Sequence, residues 1–244
     1  MRRLQSVTLA ATLAALAILS IVLPGRVTAT ELRGSTAPRA GGPLLFAHNA
    51  GDAAGTARRA LAAHADVIEI DVVLIHGKLR AMDRTRHTWF LLRERTLATA
   101  WAGAGTAAIQ LDLKGSSADF VERVNAFLRA RPGRAVYLVA PDEEVLTAIG
   151  QGRPQVTRLL AVKSAGHLAA VLAEAPKPGI DGVAVRYVLL SADSVQQLRG
   201  KGLLVFAWVV NDAPRAVELT RWGVQGLTTD QVETLGRAMA GTGS

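Results

Sequence analysis

Between residues 44 and 239, short runs rich in Val, Ile and Leu alternate with helix-length segments, eight times over. That alternation constrains the fold more than any other feature of the chain. Strands joined by helical crossovers lie parallel, and a parallel sheet must be covered on both faces or closed on itself. The pattern predicts strands over 44–49, 67–74, 107–114, 135–140, 157–162, 182–188, 203–210 and 224–228. It predicts helices over 53–64, 97–104, 118–130, 143–149, 166–174, 191–199, 213–222 and 231–239. Local signals agree with these joints. Arg131-Pro132-Gly133 stops one helix, Ser191 is placed to cap another, and Gly200 and Gly223 end two more. Eight such units over about 200 residues fit a small (β/α)8 TIM barrel. An open doubly wound sheet is the competing arrangement, but no Gly-rich phosphate loop follows the first strand. Residues 83–96 (DRTRHTWFLLRERT) show neither period and read as a basic loop.

The second strand is the unusual one. In ADVIEIDVVLIHGKLRAMD, residues 65–83, two acids sit inside an apolar run. Successive strand side chains alternate faces. Glu69 and Asp71 therefore share a face with Val67 and Val73, while Ile68, Ile70, Val72 and Leu74 share the other. Burying two carboxylates is costly unless a cation or hydrogen-bond donors compensate, and a bound divalent metal is one such compensation. The alternative is an edge strand with a wet acidic face, which Val67 and Val73 argue against.

If the fold is a barrel, chemistry belongs at the C-terminal strand ends. The residues there are polar: His48-Asn49, Glu69 and Asp71, Asp112 and Lys114, Arg186-Tyr187, Trp208 and Asn211, and Thr229-Asp230.

The N-terminus bears on compartment. Met1-Arg2-Arg3 is followed by an apolar run from Val7 to Leu23, then Pro24-Gly25 and the small residues around Ala29. Residues 1–29 read as a secretory signal, with an uncleaved membrane anchor as the other reading. Both place the rest of the chain outside the cytoplasm, secreted or held at the membrane by this segment. Residues 30–40 read as a tether and 41–240 as the catalytic-type domain. The chain has no cysteine, which excludes disulfides and thiolate chemistry. Its formal charge of +8 includes Arg2, Arg3 and Arg26, leaving +5 for the remainder. The bases are scattered and aromatics make up only 5% of the chain, so nucleic-acid binding is not indicated. A mild positive field suits an anionic small molecule.

Taken together, these pieces resemble the glycerophosphodiester phosphodiesterase family. The resemblance rests on Ala47-His48, on Ala65 to Asp71, on Asp112-Leu113-Lys114, and on FAWVVNDAPRAVELTRWGVQGLTTD, residues 206–230. It runs in order through most of residues 44–235, and the last segment is its most specific part. It implies a TIM barrel that hydrolyses glycerophosphodiesters to an alcohol and glycerol 3-phosphate. It implies a divalent cation, Ca2+ or Mg2+, on Glu69, Asp71 and Asp112, with His48 exchanging a proton and Lys114 neutralising the phosphate. Trp208 becomes an aromatic wall for the alcohol. Three departures accompany it. The family's His-Arg-Gly is His48-Asn49-Ala50 here, so Asn49 stands where the phosphate-binding Arg would be, with Lys114, Arg186 or Arg84 as substitutes. The family's second histidine falls on Asp83, which then stands as a catalytic residue in its place, or on Met82 if one residue is deleted; His87 is nearby in sequence. Only residues 84–104 are available for a cap between the second and third strands, so no large cap covers the cleft. Besides the phosphodiesterase, two readings stand: a barrel that binds or regulates without turnover, and a phospholipase D-like enzyme acting on lipid phosphodiesters, which the apolar Trp89 to Leu92 patch favours.

Overall fold

The computed structural model describes residues 42–53, 55–82 and 95–240. The leader, the tether and most of the expected basic loop, with Asp83, Arg84, His87 and Trp89, lie outside the described residues. The chain runs β1 (Leu44–Ala47), α1 (Thr56–Ala62), β2 (Val67–Ile75), β3 (Lys78–Ala81), β4 (Arg95–Thr96), α2 (Leu97–Gly103), β5 (Ala108–Leu113), α3 (Ala118–Arg129), β6 (Val136–Ala140) and α4 (Glu143–Ala148). It continues through β7 (Val156–Val162), α5 (Ala165–Ala173), β8 (Gly182–Arg186), α6 (Ala192–Gly200), β9 (Leu204–Trp208), α7 (Ala213–Trp222), β10 (Gly226–Thr229) and α8 (Val232–Ala240).

Eight strands, β1, β2 and β5 to β10, form a parallel ring that closes when β1 pairs with both β10 and β2. This is the TIM barrel, and closure removes the exposed edges an open sheet would carry. The alternation along each strand sorts its side chains between two cores. Leu44, Phe46, Val67, Tyr137, Leu159 and Phe206 point inward and fill the barrel. Leu45, Ile68, Ile70, Leu111, Leu160 and Val205 point outward against the helices. Three rings plug the interior: Phe46 lies 5.0 Å from Tyr137 and 5.2 Å from Phe206, centroid to centroid. Such edge and tilted contacts add to the burial of each ring. Burial pushes the Tyr137 hydroxyl up to about 12, with the Asp66 charge adding to it.

Side-chain caps set the helix starts on the mouth side. Ser117, Asp142, Ser164, Ser191 and Asp212 each accept a backbone N–H from the first turn of the helix that follows. Ser191 and Ser194 complete a reciprocal capping box.

Three features were not expected from the sequence. The stretch from Val67 to Met82 is a hairpin, not one strand with a tail. Val72 to Ile75 pair antiparallel with Lys78 to Ala81 beyond the point where β1 stops. The turn is His76-Gly77, with φ of 47° and 69°, the two left-handed residues of a type I′ turn. Arg95-Thr96, expected as loop, adds a third short strand against Arg80 and Ala81. The first, sixth and seventh strands also end earlier than expected. After Ala47 the chain turns through Asn49 at φ 52°, and after Arg186 residues Tyr187–Leu189 form a 3-10 turn. Among the described residues, no helix is long and apolar enough to cross a membrane.

Where strands approach closely, glycine is required. A Cβ on Gly182 would lie 2.4 Å from the Leu204 carbonyl oxygen, a backbone atom of the next strand. Gly182→Ala should therefore lower stability by about 1–3 kcal/mol, as overpacking does. Gly200→Ala, where a Cβ meets nothing within 4 Å, should be neutral or stabilising by up to about 1 kcal/mol. Urea midpoints of the two variants check this, and equal midpoints would remove the packing argument.

Candidate active site

The C-terminal mouth of the barrel gathers residues far apart in sequence. β2 delivers Glu69 and Asp71 on its inward face, and β5, its parallel neighbour, delivers Asp112 directly beside Asp71. One oxygen from each of the three carboxylates lies within 4.8 Å of the others. Glu69 and Asp71 are buried, at 3% and 4% exposure, and Asp112 is half-buried. The strand-level expectation of a buried acidic pair on the Val67 face is met.

Burial and then the Glu69 charge push the Asp71 carboxyl up to about 7, with Asp112 adding to the rise and Lys114 opposing it. The trio is thus short of positive charge. Lys114 supplies the nearest cation: its Nζ stands 3.1 Å from Asp71 Oδ1 and also bonds Asp112 Oδ2. Burial pulls the ammonium down, but Asp112 and Asp71 outweigh it and hold Lys114 above its ordinary value. A lysine so held stays charged and serves as a fixed cation, not as a proton acceptor.

The β1–α1 loop braces the acids from one side. The Asn49 backbone N–H donates to Glu69 Oε2 at 2.7 Å, Gly51 N–H donates to the Glu69 carbonyl at 2.8 Å, and Asp71 N–H donates to Asp52 Oδ1 at 3.0 Å. A Cβ on Gly51 would lie 2.2 Å from Ile70 Cγ1, so only glycine allows the loop to sit this close. The Asn49 main chain thus holds Glu69. Arg95 ties the loop down from outside by donating to the Gly51 and Ala53 carbonyls.

On the other side, ring closure sets His48 against β10. His48 Nδ1 lies 2.9 Å from Asp230 Oδ1. A carboxylate accepts only, so Nδ1 carries the proton and Nε2 is left available. Asn211 Nδ2 donates to Asp230 Oδ2 at 2.8 Å, and Asn211 Oδ1 accepts from Asp230 N–H and from Thr229 Oγ1. Asp230 orients the imidazole, and Asn211 orients Asp230. The sequence placed Asn211 and Asp230 on the rim without assigning this role. Only closure of the ring makes them neighbours of His48.

Trp208 caps the interior core, half-buried, with Nε1 donating to the Ala184 carbonyl at 2.9 Å. Arg186 ends β8 on the inward parity of Gly182 and Ala184 and is exposed. Among the described residues, neither makes a hydrogen bond or ion pair with the acids. Asp83 lies outside the described residues. Met82 is described: its N–H donates to the Asp71 carbonyl at 3.0 Å, and it lines both the cleft beside His48 and the one beside Lys114. Of the other described histidines, His64 follows α1, His76 is at the hairpin tip, and His167 is on α5 beside α4.

A barrel with acids, an oriented histidine and a lysine at its C-terminal mouth has the architecture of a TIM-barrel hydrolase. The family model described as the glycerophosphoryl diester phosphodiesterase family matches residues 85–234. The chain belongs to that family, a family of phosphoric diester hydrolases. Solved structures show the same fold at low identity. A phosphodiesterase from Oleispira antarctica, in complex with its product sn-glycerol-3-phosphate, aligns with a TM-score of 0.66 at 14% identity, over 82% of this chain and 97% of that one. A glycerophosphoryl diester phosphodiesterase from Silicibacter pomeroyi gives 0.67 at 16%, over 88% and 97%. One from Thermotoga maritima gives 0.63 at 17%, over 80% and 97%. No curated protein matches the chain.

Burying Asp71 beside Glu69 has a cost of measurable sign. A carboxyl raised from 3.8 to about 7 takes up a proton on folding, so its cost to stability grows between those pH values and persists above. In chelator at pH 8, Asp71→Asn should raise Tm by about 4 °C or more, and the gain should vanish near pH 4. A lower Tm at pH 8 would mean that the Lys114 pair outweighs this cost.

Proposed function

We propose that this chain hydrolyses glycerophosphodiesters to an alcohol and glycerol 3-phosphate, aided by a divalent cation, Ca2+ or Mg2+, on Glu69, Asp71 and Asp112. The observation that carries this is the convergence of three carboxylates at the mouth of a barrel of this family, one of them raised to about 7 by burial and then by the Glu69 charge beside it. The donor set fits: all ligands are oxygens, as hard cations require. Such an ion polarises the phosphoryl oxygens when bound.

The chain's own residues account for the rest. The Asn49 and Gly51 amides and the Asp52 carboxylate hold Glu69 and Asp71 in place. Lys114 supplies a permanent positive charge beside the phosphate. His48 Nε2, oriented by Asp230, holds or delivers the proton that moves between the attacking water and the departing alcohol oxygen. Overall, water adds across one P–O bond: the phosphorus gains the hydroxyl and the alcohol oxygen gains the proton. Trp208 lines the alcohol side. We further propose that the N-terminal segment exports the chain, leaving it secreted or anchored at the membrane.

A second reading is favoured by Met82. It stands where the hairpin returns to the mouth, and among the described residues His48 is the one imidazole there. With a single proton-exchanging ring, the barrel would bind its diester without turning it over. Release of glycerol 3-phosphate from glycerophosphocholine and glycerophosphoglycerol, with and without Ca2+ or Mg2+, separates the two. Metal-dependent release should fall by about 100-fold or more in His48→Ala. No release from either diester by folded protein would leave the binding reading. Calcium should also raise Tm of the wild type and not of a Glu69→Ala/Asp71→Ala double variant. An equal increment in both would remove the metal site.

A further inference from the structure

The wall of the mouth opposite the acids carries a different charge. Lys163 follows β7 directly and continues the inward parity of Leu159 and Ala161. β7 and β8 pair with Val162 opposite Val185, so the next step in that register sets Lys163 beside Arg186. Arg186 in turn pairs with Trp208 on β9. Three consecutive strands thus present Lys163, Arg186 and Trp208 as one row along the rim, and both cations are exposed.

These two cations differ from the arginines that stitch the barrel together. Arg95, Arg134, Arg158 and Arg215 all donate to backbone carbonyls. Among the described residues, the side chains of Lys163 and Arg186 take no hydrogen bond and no ion pair. Lys114, by contrast, is already engaged by Asp71 and Asp112. The reacting phosphate is served on the acidic side, which leaves two positive charges for something else. Strands are spaced about 5 Å apart, so Lys163 and Arg186 stand about 10–14 Å around the wall from Asp112, before their long side chains shorten the gap. That is the reach of a substituent on the alcohol, not of the scissile phosphate.

Building on the phosphodiesterase reading, we propose that Lys163 and Arg186 form a second-anion subsite, which selects glycerophosphodiesters whose alcohol carries a further negative group. A phosphate or carboxylate there is paired, a neutral alcohol leaves the two cations hydrated, and a cationic one is repelled.

The test compares glycerophosphoglycerol with the same diester bearing a terminal phosphate on its alcohol. The wild type should favour the phosphorylated diester by about tenfold or more in kcat/KM. Lys163→Gln/Arg186→Gln should bring the two substrates within about twofold of each other, while Lys163→Arg/Arg186→Lys should keep the preference. Melting curves check that each variant is folded. Equal kcat/KM in the wild type, or a preference that survives the glutamine pair, overturns the subsite. Calorimetric affinities for the same two ligands in chelator decide it independently of turnover. Tighter binding of the phosphorylated ligand, lost in the glutamine pair, supports the subsite even if neither diester is hydrolysed, whereas equal affinities overturn it. Absent hydrolysis would by itself count only against the phosphodiesterase reading.

Discussion

Three carboxylates crowded at the end of a hydrophobic barrel are the constraint around which the rest of the mouth is arranged. Burial first and the neighbouring carboxylates second disfavour their charged forms, and Asp71 rises to about 7. Each neighbouring feature relieves part of that cost. Lys114 brings a charge between Asp71 and Asp112, and the β1–α1 loop brings an amide to Glu69. Instability at the site and its capacity for chemistry have one origin, as is common where ionisable groups are held against their solvation preference.

Closure of the ring does the second essential thing. β1 and β10 are neighbours only because the sheet meets itself, and that contact sets His48 beside Asp230 across 182 positions of sequence. The imidazole is oriented by a carboxylate that is itself held by Asn211, so its geometry depends on three strand ends at once. The mouth is then divided by charge. Acids, histidine and the engaged lysine occupy the β10–β1–β2–β5 arc, while uncommitted cations and an indole occupy β7 to β9. A site split in this way can treat the two halves of an asymmetric substrate differently.

Much of the fold was legible because it depends on periodicity. Val67 to Leu74 alternates two buried faces, and the amphipathic run from Ala118 to Arg129 shows its stripe without help from tertiary contacts. Glu69 and Asp71 stood out because charges in a doubly buried strand need an explanation. The hairpin at His76-Gly77 was missed because β2 and β3 merge into one extended run of strand-like sequence. The ends of the sixth and seventh strands were misplaced because apolar sequence, Tyr187 to Leu189 and Val209-Val210, continues after the ladder stops, and the first strand ends early because the chain turns through Asn49 at positive φ.

The sequence by itself determined the eight-fold alternation, the inward face of the second strand, and the residue types that reach the rim. These follow from local rules of spacing and burial that each segment carries within it. The tertiary structure alone decided which rim residues meet. Asp230 orients His48, Asp52 braces Asp71, the β7–β8 register carries Lys163 and Arg186 to the same rim, and the Asn49 main chain holds Glu69. Each of these is a relation between strands or loops whose register and closure are set by the whole ring, and no single segment contains that information.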